Sequence, residues 1–486
     1  MKERVIRRDH GLSPSPAAGR RLRWDLTATP VLGALLRSPL PLTALRLLAL
    51  ALLIAGIAAG LAQPSVERGL TLLLFWGLFW PFLTVLVTPT LGNVFCAICP
   101  HGFVGKWLTR IGLRRPFPAR WRGGWIGLLL LVFGYWFIHY TMPGSLTRST
   151  AATAWFFLGF TVLACGSFLI FSGMAYCKHL CPLGRLLAVH GKAGATRIAT
   201  RAQDCATCRD FDCAKACSYR LSPFQFEARN NMETCTLCMD CVQSCDSVRV
   251  EFRPPGSALI GPIRRGDATD PWVLLVILAV AAVAIQLLHG LQHSGLQHSG
   301  LQASLPWNVA GGWLQQRFGV AAESFNFARL LGLLGAVAAT VLAAWVGYAR
   351  AAAVVGRDRT TVRQTLAYAL APLALLGLLP HAVTRFVTRD GHELLNALAG
   401  TVGWRLQLEP FAARSDDWVQ QLALLSYLGM AWALALSWHR AGLLTAERGR
   451  RWRVWLWGSL PILLYIAVFG FKLWALATYG TAHHHH

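Results

Sequence analysis

The chain has 486 residues, of which 55% are hydrophobic and only 14% are charged. This composition is too apolar for a soluble domain of this length and favours a membrane protein. The formal net charge of +24 raises the alternative of nucleic-acid binding. Lys and Arg are concentrated in alternate loops between apolar segments, however, as the positive-inside rule describes. We therefore expect membrane lipid around this chain and no nucleic-acid partner.

Nine apolar stretches of about 18 or more residues predict membrane-spanning helices. They are residues 42–62, 70–89, 124–141, 151–172, 271–289, 327–349, 364–383, 418–438 and 454–477. Basic residues crowd into the N-terminus and the loops 105–122, 350–363 and 439–453, so we predict a cytoplasmic N-terminus and a C-terminus outside. No carboxylate falls inside a predicted span, which argues against a proton pump with an acid relay.

Two segments in the first half look like copies of one another: NVFCAICPHGFVGKW, residues 93–107, and MAYCKHLCPLGRLL, residues 174–187. In each, a proline directly follows the second cysteine and bars continuation of a regular helix before it. Both segments follow spans that run from outside to inside. An internal repeat packed around a pseudo-twofold axis would bring four thiolates together at the cytoplasmic face. These thiolates are Cys96, Cys99, Cys177 and Cys181.

Three roles are open for these twin motifs. The four thiolates could hold a metal or a third iron–sulfur cluster, act as two redox-active dithiols, or seal the following domain to the membrane. His101 and His179 stand beside the cysteines; either could be a ligand, and a hydrogen-bonded interfacial role is favoured. Cys165, inside the fourth predicted span, is expected to be a small core residue.

Residues 188–268 form a polar insert with two cysteine runs. The second run, Cys235, Cys238, Cys241 and Cys245, has the C-x2-C-x2-C-x3-C spacing of bacterial ferredoxins, in which the fourth cysteine binds the neighbouring cluster. The spacing therefore predicts two [4Fe–4S] clusters. Cluster 1 would be held by Cys205, Cys208, Cys213 and Cys245, and cluster 2 by Cys235, Cys238, Cys241 and Cys217.

The first cysteine run departs from this pattern, because four residues instead of two separate Cys208 from Cys213. The usual proline after the fourth cysteine is also replaced, by Ser218 and Asp246. Zinc is an alternative occupant, although triple-spaced runs suit its paired knuckles poorly. Disulfides are disfavoured on the reducing cytoplasmic side. We expect an α+β domain of the bacterial-ferredoxin kind.

On these motifs the chain resembles the membrane-bound polyferredoxins of the NapH, NosR and CcoG type. The resemblance covers residues 40–250 and rests on the motifs at Cys96–Pro100 and Cys177–Pro182 together with the two cysteine runs; the first motif is one residue shorter than usual for the family. It implies an electron-transfer protein of the bacterial inner membrane. Its expected partners are the quinone pool and an exported redox enzyme or cytochrome. The alternative is a maturation factor that reduces or delivers a metal such as copper.

The C-terminal half adds five predicted spans and no cysteine, so its chemistry must come from other residues. His139, His289 and His381 lie near the outer ends of the third, fifth and seventh predicted spans. At one depth in the membrane they could bind a b-type haem through axial nitrogens, bind copper, hydrogen-bond a quinone, or hold no ligand. His293 and His298 belong to a tandem repeat, for which low-complexity expansion is favoured over metal binding.

The predicted organisation is a polytopic α-helical membrane protein of about nine spans with the ferredoxin-like domain inserted. Its segments are a basic cytoplasmic N-terminus (1–41), a four-helix membrane domain (42–187), the cytoplasmic insert (188–268), a five-helix membrane domain (269–480) and a purification-tag remnant (481–486). The predicted function is electron transfer that links the cytoplasmic clusters or the quinone pool to an exported enzyme, as a component of an oxidoreductase.

Overall fold

A computed structural model describes the fold for most of the chain. The described residues are 23–66, 69–144, 146–264, 266, 268–291, 296 and 300–480. The side chains of 82–86, 88, 89 and 289 are also outside the description, as are the predicted tag remnant and most of the basic N-terminal segment.

Seven helices in the described part are long and apolar enough to cross a membrane, judged by length and composition. An α-helix rises 1.5 Å per residue, so about 20 residues cross a hydrocarbon core of roughly 30 Å. These seven helices are Pro39–Ala62, Thr150–Ile170, Asp270–Leu288, Phe327–Val355, Arg359–Thr401, Asp417–Gly442 and Leu460–Tyr479. In chain order the main helices are α1 (Pro39–Ala62), α2 (Leu70–Pro81), α3 (Pro100–Ile111), α4 (Trp125–Thr141), α5 (Thr150–Ile170), α6 (Pro182–His190), α7 (Asp270–Leu288), α8 (Phe327–Val355), α9 (Arg359–Thr401), α10 (Asp417–Gly442) and α11 (Leu460–Tyr479). Shorter helices include Pro30–Arg37, Pro306–Phe318 and Arg448–Gly458.

Two of the nine predicted spans, 70–89 and 124–141, fall on the shorter apolar helices α2 and α4. The backbone in the α2 region continues as a π-helix, Leu73–Leu86, which contains Pro81. Proline lacks an amide hydrogen and clashes with the preceding turn, and π turns are a common accommodation inside a helix. The described helices therefore support a helical membrane protein, and the number of nine spans stays a prediction.

A small antiparallel sheet closes the cysteine-rich insert. Its strands are β1 (Trp24–Asp25), β2 (Thr196–Thr200) and β3 (Val248–Phe252), in the order β1-β3-β2. Strand β2 precedes the first cysteine run and β3 follows the second, so the pairing of Ile198 with Val250 draws both runs into one unit. Strand β1 comes from the N-terminal segment, which the sequence analysis had treated as basic chain without a strand.

The two membrane halves share one hydrophobic core. It contains buried residues from α2, α4 and α6 in the first half and from α7 to α11 in the second. Helix α7 lies at the centre of this core. In its most apolar 18-residue stretch 78% of the residues are buried, compared with 17% in α1. Helix α7 is thus surrounded by protein, whereas α1 leaves most of its surface to lipid.

A buried ionic cluster joins the halves at the start of α7. Asp270 is only 1% exposed. Its carboxylate accepts hydrogen bonds from Arg185 at 2.9 Å, from the hydroxyl of Tyr368 at 2.6 Å and from the ammonium of Lys192. Arg185 belongs to α6 and Tyr368 to α9. The sequence analysis placed no carboxylate in a span because Asp270 stands one residue before the predicted span 271–289; in the structure it is the first residue of α7.

Candidate functional site

The cysteines predicted for cluster 1 line one cavity of the insert. They are Cys205, Cys208, Cys213 and Cys245. Burial and the three neighbouring thiols raise the pKa of Cys213 to about 12. Four thiolates this close repel one another in a buried setting, so a bound cationic centre would be needed to compensate their charge. The cavity therefore fits the ligand set of an iron–sulfur cluster.

The cysteines predicted for cluster 2 line a second cavity. They are Cys217, Cys235, Cys238 and Cys241. Leu237 and Met239, on either side of Cys238, have left-handed backbone with φ of 53° and 63°, which for such residues is strained and is characteristic of functional sites. This backbone turns amides toward sulfur, and the amide of Leu237 donates to the thiol of Cys235. Hydrogen bonds to cluster sulfurs are one of the means by which a protein sets the reduction potential.

The twin motifs are built alike and bring their four cysteines to a third cavity. The cavity is lined by Cys96, Cys99, Cys177 and Cys181. Cys99 has φ −57° and ψ 124°, and Cys181 has φ −63° and ψ 122°. Each of these two residues caps a helix, α3 or α6, whose first residue is proline. The repeat proposed from sequence is therefore present in the backbone geometry.

The helix-capping position explains why these motifs combine cysteine with proline. Proline is favoured at the first position of a helix because that amide would have no intrahelical partner. The following amides do point out of the helix end, where they can donate to an anion. The thiol of Cys181 accepts from the amides of Leu183 and Gly184, and Cys99 accepts from the equivalent positions of its own motif. A Cβ atom on Gly184 would stand 2.3 Å from the carbonyl oxygen of Cys177, so this close approach requires glycine.

The third cavity continues from the four thiols into the membrane domain. Its volume is about 110 Å³. Aromatic side chains form most of the extension, and Trp76 and Tyr135 stack within it at a centroid distance of 5.2 Å. The aromatic residues that line this extension are Trp76, Phe79, Trp80, Tyr135, Phe156, Phe157 and Phe160. Thiols and a membrane-embedded aromatic surface thus share one cavity.

A single metal ion and an iron–sulfur cluster place different demands on the arrangement of their ligands. In the part of the chain that the structure describes, no three His, Cys, Asp or Glu side chains converge on one point as a mononuclear site requires. A structural zinc needs four ligands around one atom, whereas each thiolate of a [4Fe–4S] cluster binds a different iron, which spreads the ligands around a volume. All thirteen cysteines, each of them among the described residues, are free thiols.

Contacts connect the three groups of cysteines in series. Cys213 of the first group and Cys241 of the second are near enough to interact electrostatically. Tyr219 lines both the second and the third cavity, and its hydroxyl is within hydrogen-bonding reach of the thiol of Cys177. The second group thus lies between the other two, and Tyr219 is shared by its cavity and the third. No pattern in the sequence marks Tyr219, which lies outside every motif.

Two further polar residues attach the insert to the twin motifs. Asn93 donates from Nδ2 to the carbonyl oxygen of Cys235 at 2.9 Å. Lys106 on α3 contacts both carboxylate oxygens of Asp240, at 2.6 and 2.7 Å. The sequence analysis missed both roles; the position of Asn93 just before the first motif, at the end of an apolar stretch, is a signal that could have found it.

The histidines have mixed surroundings. His101 contacts the hydroxyl of Thr161 at 2.9 Å, and His179 stacks on Phe117 at 4.7 Å, as expected of interfacial residues. His139 and His381 are near enough to interact electrostatically with each other, together with Arg329 and Arg385. The side chain of His289, as well as His293 and His298, lies outside the described residues. A haem, copper or quinone at His139, His289 and His381 stays a prediction.

Comparisons with known proteins bear on this site. A family model described as a 4Fe-4S binding domain matches residues 73–128 and 153–198, which contain the twin-motif cysteines. Over 209 residues the chain is 29% identical to YccM of Escherichia coli (strain K12), a protein assigned to electron transport. The aligned part is 37% of this chain and 55% of YccM, so the chain spans about half the length of this relative. No solved structure matches the chain. The comparisons support iron–sulfur electron transfer in a helical membrane protein.

Proposed function

We propose that the protein conducts electrons between a quinone in the membrane and iron–sulfur centres at the cytoplasmic face, in service of an exported redox enzyme. One observation carries the proposal: the cavity lined by the four twin-motif thiols extends into an aromatic surface between α2, α4 and α5. A quinone ring is flat and apolar with two carbonyl oxygens, so aromatic walls with a few polar groups suit it. A quinone in that extension would adjoin the third group of thiols.

The three groups of cysteines would form a relay. Cys205, Cys208, Cys213 and Cys245 would hold cluster 1, and Cys217, Cys235, Cys238 and Cys241 would hold cluster 2. Cys96, Cys99, Cys177 and Cys181 would hold a third cluster. When bound, such clusters supply one-electron chemistry. The electrostatic contact of Cys213 with Cys241 and the position of Tyr219 support this order.

The protein's own residues would hold and tune these centres. The amides of Leu183 and Gly184 donate to Cys181, which stabilises a thiolate at the end of α6. The aromatic side chains present an apolar wall that would hold a quinone ring beside the thiols. Tyr135, whose ring lines the extension, offers a hydroxyl to a quinone carbonyl.

Anaerobic reduction of the purified protein by a quinol tests the proposal. We expect duroquinol to bleach the visible absorbance of the clusters and to produce the electron paramagnetic resonance signal of a reduced cluster. Phe157→Ala, which opens the aromatic wall, should slow this reaction, whereas Phe318→Ala, a change on an exposed side chain far along the sequence, should not. Protein that contains iron but is never reduced by quinol would contradict the quinone link. Reduction of copper ions without reduction by quinol would favour the metal-reductase alternative.

A further inference from the structure

A second, smaller cavity lies between the two membrane halves. Its volume is about 40 Å³, and α2, α4, α6, α7 and α9 all contribute to its wall. Trp80 and Leu187 line both this cavity and the aromatic cavity described above. One layer of side chains therefore separates the two spaces.

Two buried polar atoms at this cavity have no hydrogen-bond partner among the described residues. They are Nε2 of His190 and Nε1 of Trp136, and both side chains are 3% exposed. An unpaired buried polar atom is costly, so native structures normally pair it with protein or with water. The remaining lining residues, apart from Trp80, are aliphatic.

The two atoms have complementary hydrogen-bonding roles. Nδ1 of His190 lies 2.9 Å from the carbonyl oxygen of Leu186, which can only accept, so Nδ1 carries the hydrogen and Nε2 has the lone pair. The indole of Trp136 can only donate. A water molecule needs roughly 10–15 Å³ of such space, so the cavity has room for about three. Water accepting from Trp136 and donating to His190 would satisfy both atoms.

Two of the helices that line this cavity also hold the buried ionic cluster. Helix α7 supplies Ile277 to the cavity and Asp270 to the ionic cluster; these residues are seven apart, or about 10 Å along a helix. Helix α9 supplies Ala374 to the cavity and Tyr368 to the cluster. The cavity and the ionic cluster thus lie on the same two helices, about 10 Å apart along α7.

We propose that this cavity is a water site and that His190 exchanges protons with the quinone through it. The inference rests on the proposed function, because it names the proton route of the same reaction. In quinol oxidation an O–H bond of the quinol breaks and its proton passes through water to form an N–H bond at Nε2 of His190. The accompanying electron leaves toward the cysteine groups, whose oxidised iron–sulfur centres are the oxidant. Quinone reduction uses the same steps in reverse.

The surroundings of His190 suit a relay that does not retain the proton. Burial lowers the pKa of His190 to about 4, so the ring is neutral at pH 7 and gives up an acquired proton readily. Among the described residues that line the cavity, His190 alone titrates in the ordinary pH range. The charged or titratable groups on the neighbouring elements are Arg185 on α6, Lys192 after it, Asp270 on α7 and Tyr368 on α9.

The test compares two reductants by anaerobic stopped-flow absorbance. His190→Gln keeps a polar side chain but cannot relay a proton. We expect it to lower the rate of reduction by duroquinol about 100- to 10,000-fold, in the range of a lost proton-transfer group, and to leave reduction by dithionite unchanged. Trp136→Phe, which removes only the indole donor, should slow the quinol reaction less. His439→Gln, at the inner end of α10 outside this cavity, is the matched control and should react as the wild type does.

A second readout does not depend on the clusters. High-resolution cryo-electron microscopy of the wild type should show water density between Nε2 of His190 and Nε1 of Trp136. Equal quinol rates in His190→Gln and the wild type, or a dry cavity, would overturn the inference while the quinone link stands. A wild-type protein that quinol does not reduce would overturn the proposed function, whatever the density shows. If His190→Gln loses its iron, the quinol-to-dithionite rate ratio of Trp136→Phe decides instead.

Discussion

Arg46 of the first membrane helix donates from Nη2 to the carbonyl oxygen of Cys238 at 3.0 Å. Its Nε donates to the carbonyl oxygen of Ala97, between the first two twin-motif cysteines, at 2.8 Å. The side chain is 7% exposed, so its charge is buried within the protein. One guanidinium group thus holds together a membrane helix, a twin motif and a cysteine run of the insert.

Replacing this guanidinium should loosen the second group of cysteines. Arg46→Met keeps the length of the side chain but leaves two buried carbonyl oxygens without donors, and hydrogen bonds to a charged group contribute about 1.5–3 kcal/mol each. We expect the free energy of unfolding to fall by about 3 kcal/mol. Cluster absorbance should then be lost faster on heating under anaerobic conditions. Arg110→Met, on an exposed residue of α3 whose guanidinium carbon lies 5.6 Å from the ring centroid of Trp107, is the control. Equal thermal decay in the two variants would contradict this role of Arg46.

The twin-motif cysteines should account for part of the bound iron. If all three groups hold [4Fe–4S] clusters, the protein contains about 12 iron atoms, and without the third group about 8. Cys181→Ser should remove about one third of the iron and leave the signals of the other two clusters. Cys165→Ser, which changes a cysteine of α5 outside all three cavities, should leave the iron content unchanged. An iron content that is the same in Cys181→Ser and the wild type would show that the third group holds no cluster.

Local spacing predicted which cysteines share a cavity, because a thiol three residues from another in a tight loop has little choice of position. The structure brings together the members of each predicted group, while iron binding by these residues remains to be measured. Helices α1, α5, α7 and α10 begin and end within four residues of the predicted spans, whereas α9 continues 18 residues past its predicted end and α11 begins six residues after its predicted start. The course of the predicted span 70–89 near Pro81 was less predictable, because hydropathy does not report how a proline opens a helix into π turns.

Residues that act through tertiary contacts were not predictable in the same way. Tyr219 stands between two groups of cysteines only because the insert folds back onto the twin motifs. Asp270 looked like a residue before a span, and its partners Arg185 and Lys192 lie about 80 residues earlier in the chain, on α6 and just after it. His190 carries no motif, and its orphaned nitrogen becomes visible only when α4 and α7 enclose it.

The hydroxyl of Tyr219 should tune one cluster only. A donor to a cluster thiolate stabilises the more negative, reduced form, so its removal lowers the reduction potential. Tyr219→Phe keeps the ring between the second and third cavities and removes the contact with Cys177. A redox titration followed by electron paramagnetic resonance should show one midpoint shifted to a lower potential and the others unchanged. Tyr348→Phe, a buried tyrosine of α8, serves as the control; three unmoved midpoints in Tyr219→Phe would refute the role.

Asp270 should hold the two membrane halves together. Asp270→Asn leaves Arg185 and Lys192 buried, at 7% and 6% side-chain exposure, without their anionic partner. Removing one member of a buried ion pair typically costs about 3–5 kcal/mol, because the remaining charge is uncompensated. We expect a lower aggregation temperature in detergent, read by fluorescence-detected gel filtration after heating. Asp246→Asn removes a fully exposed carboxylate that pairs with Arg37 at 3.1 Å, and an exposed pair contributes only about 0–1 kcal/mol. The two aspartates differ in burial and in the number of cations they contact, so equal aggregation temperatures would mean that the halves are joined by their shared apolar core alone.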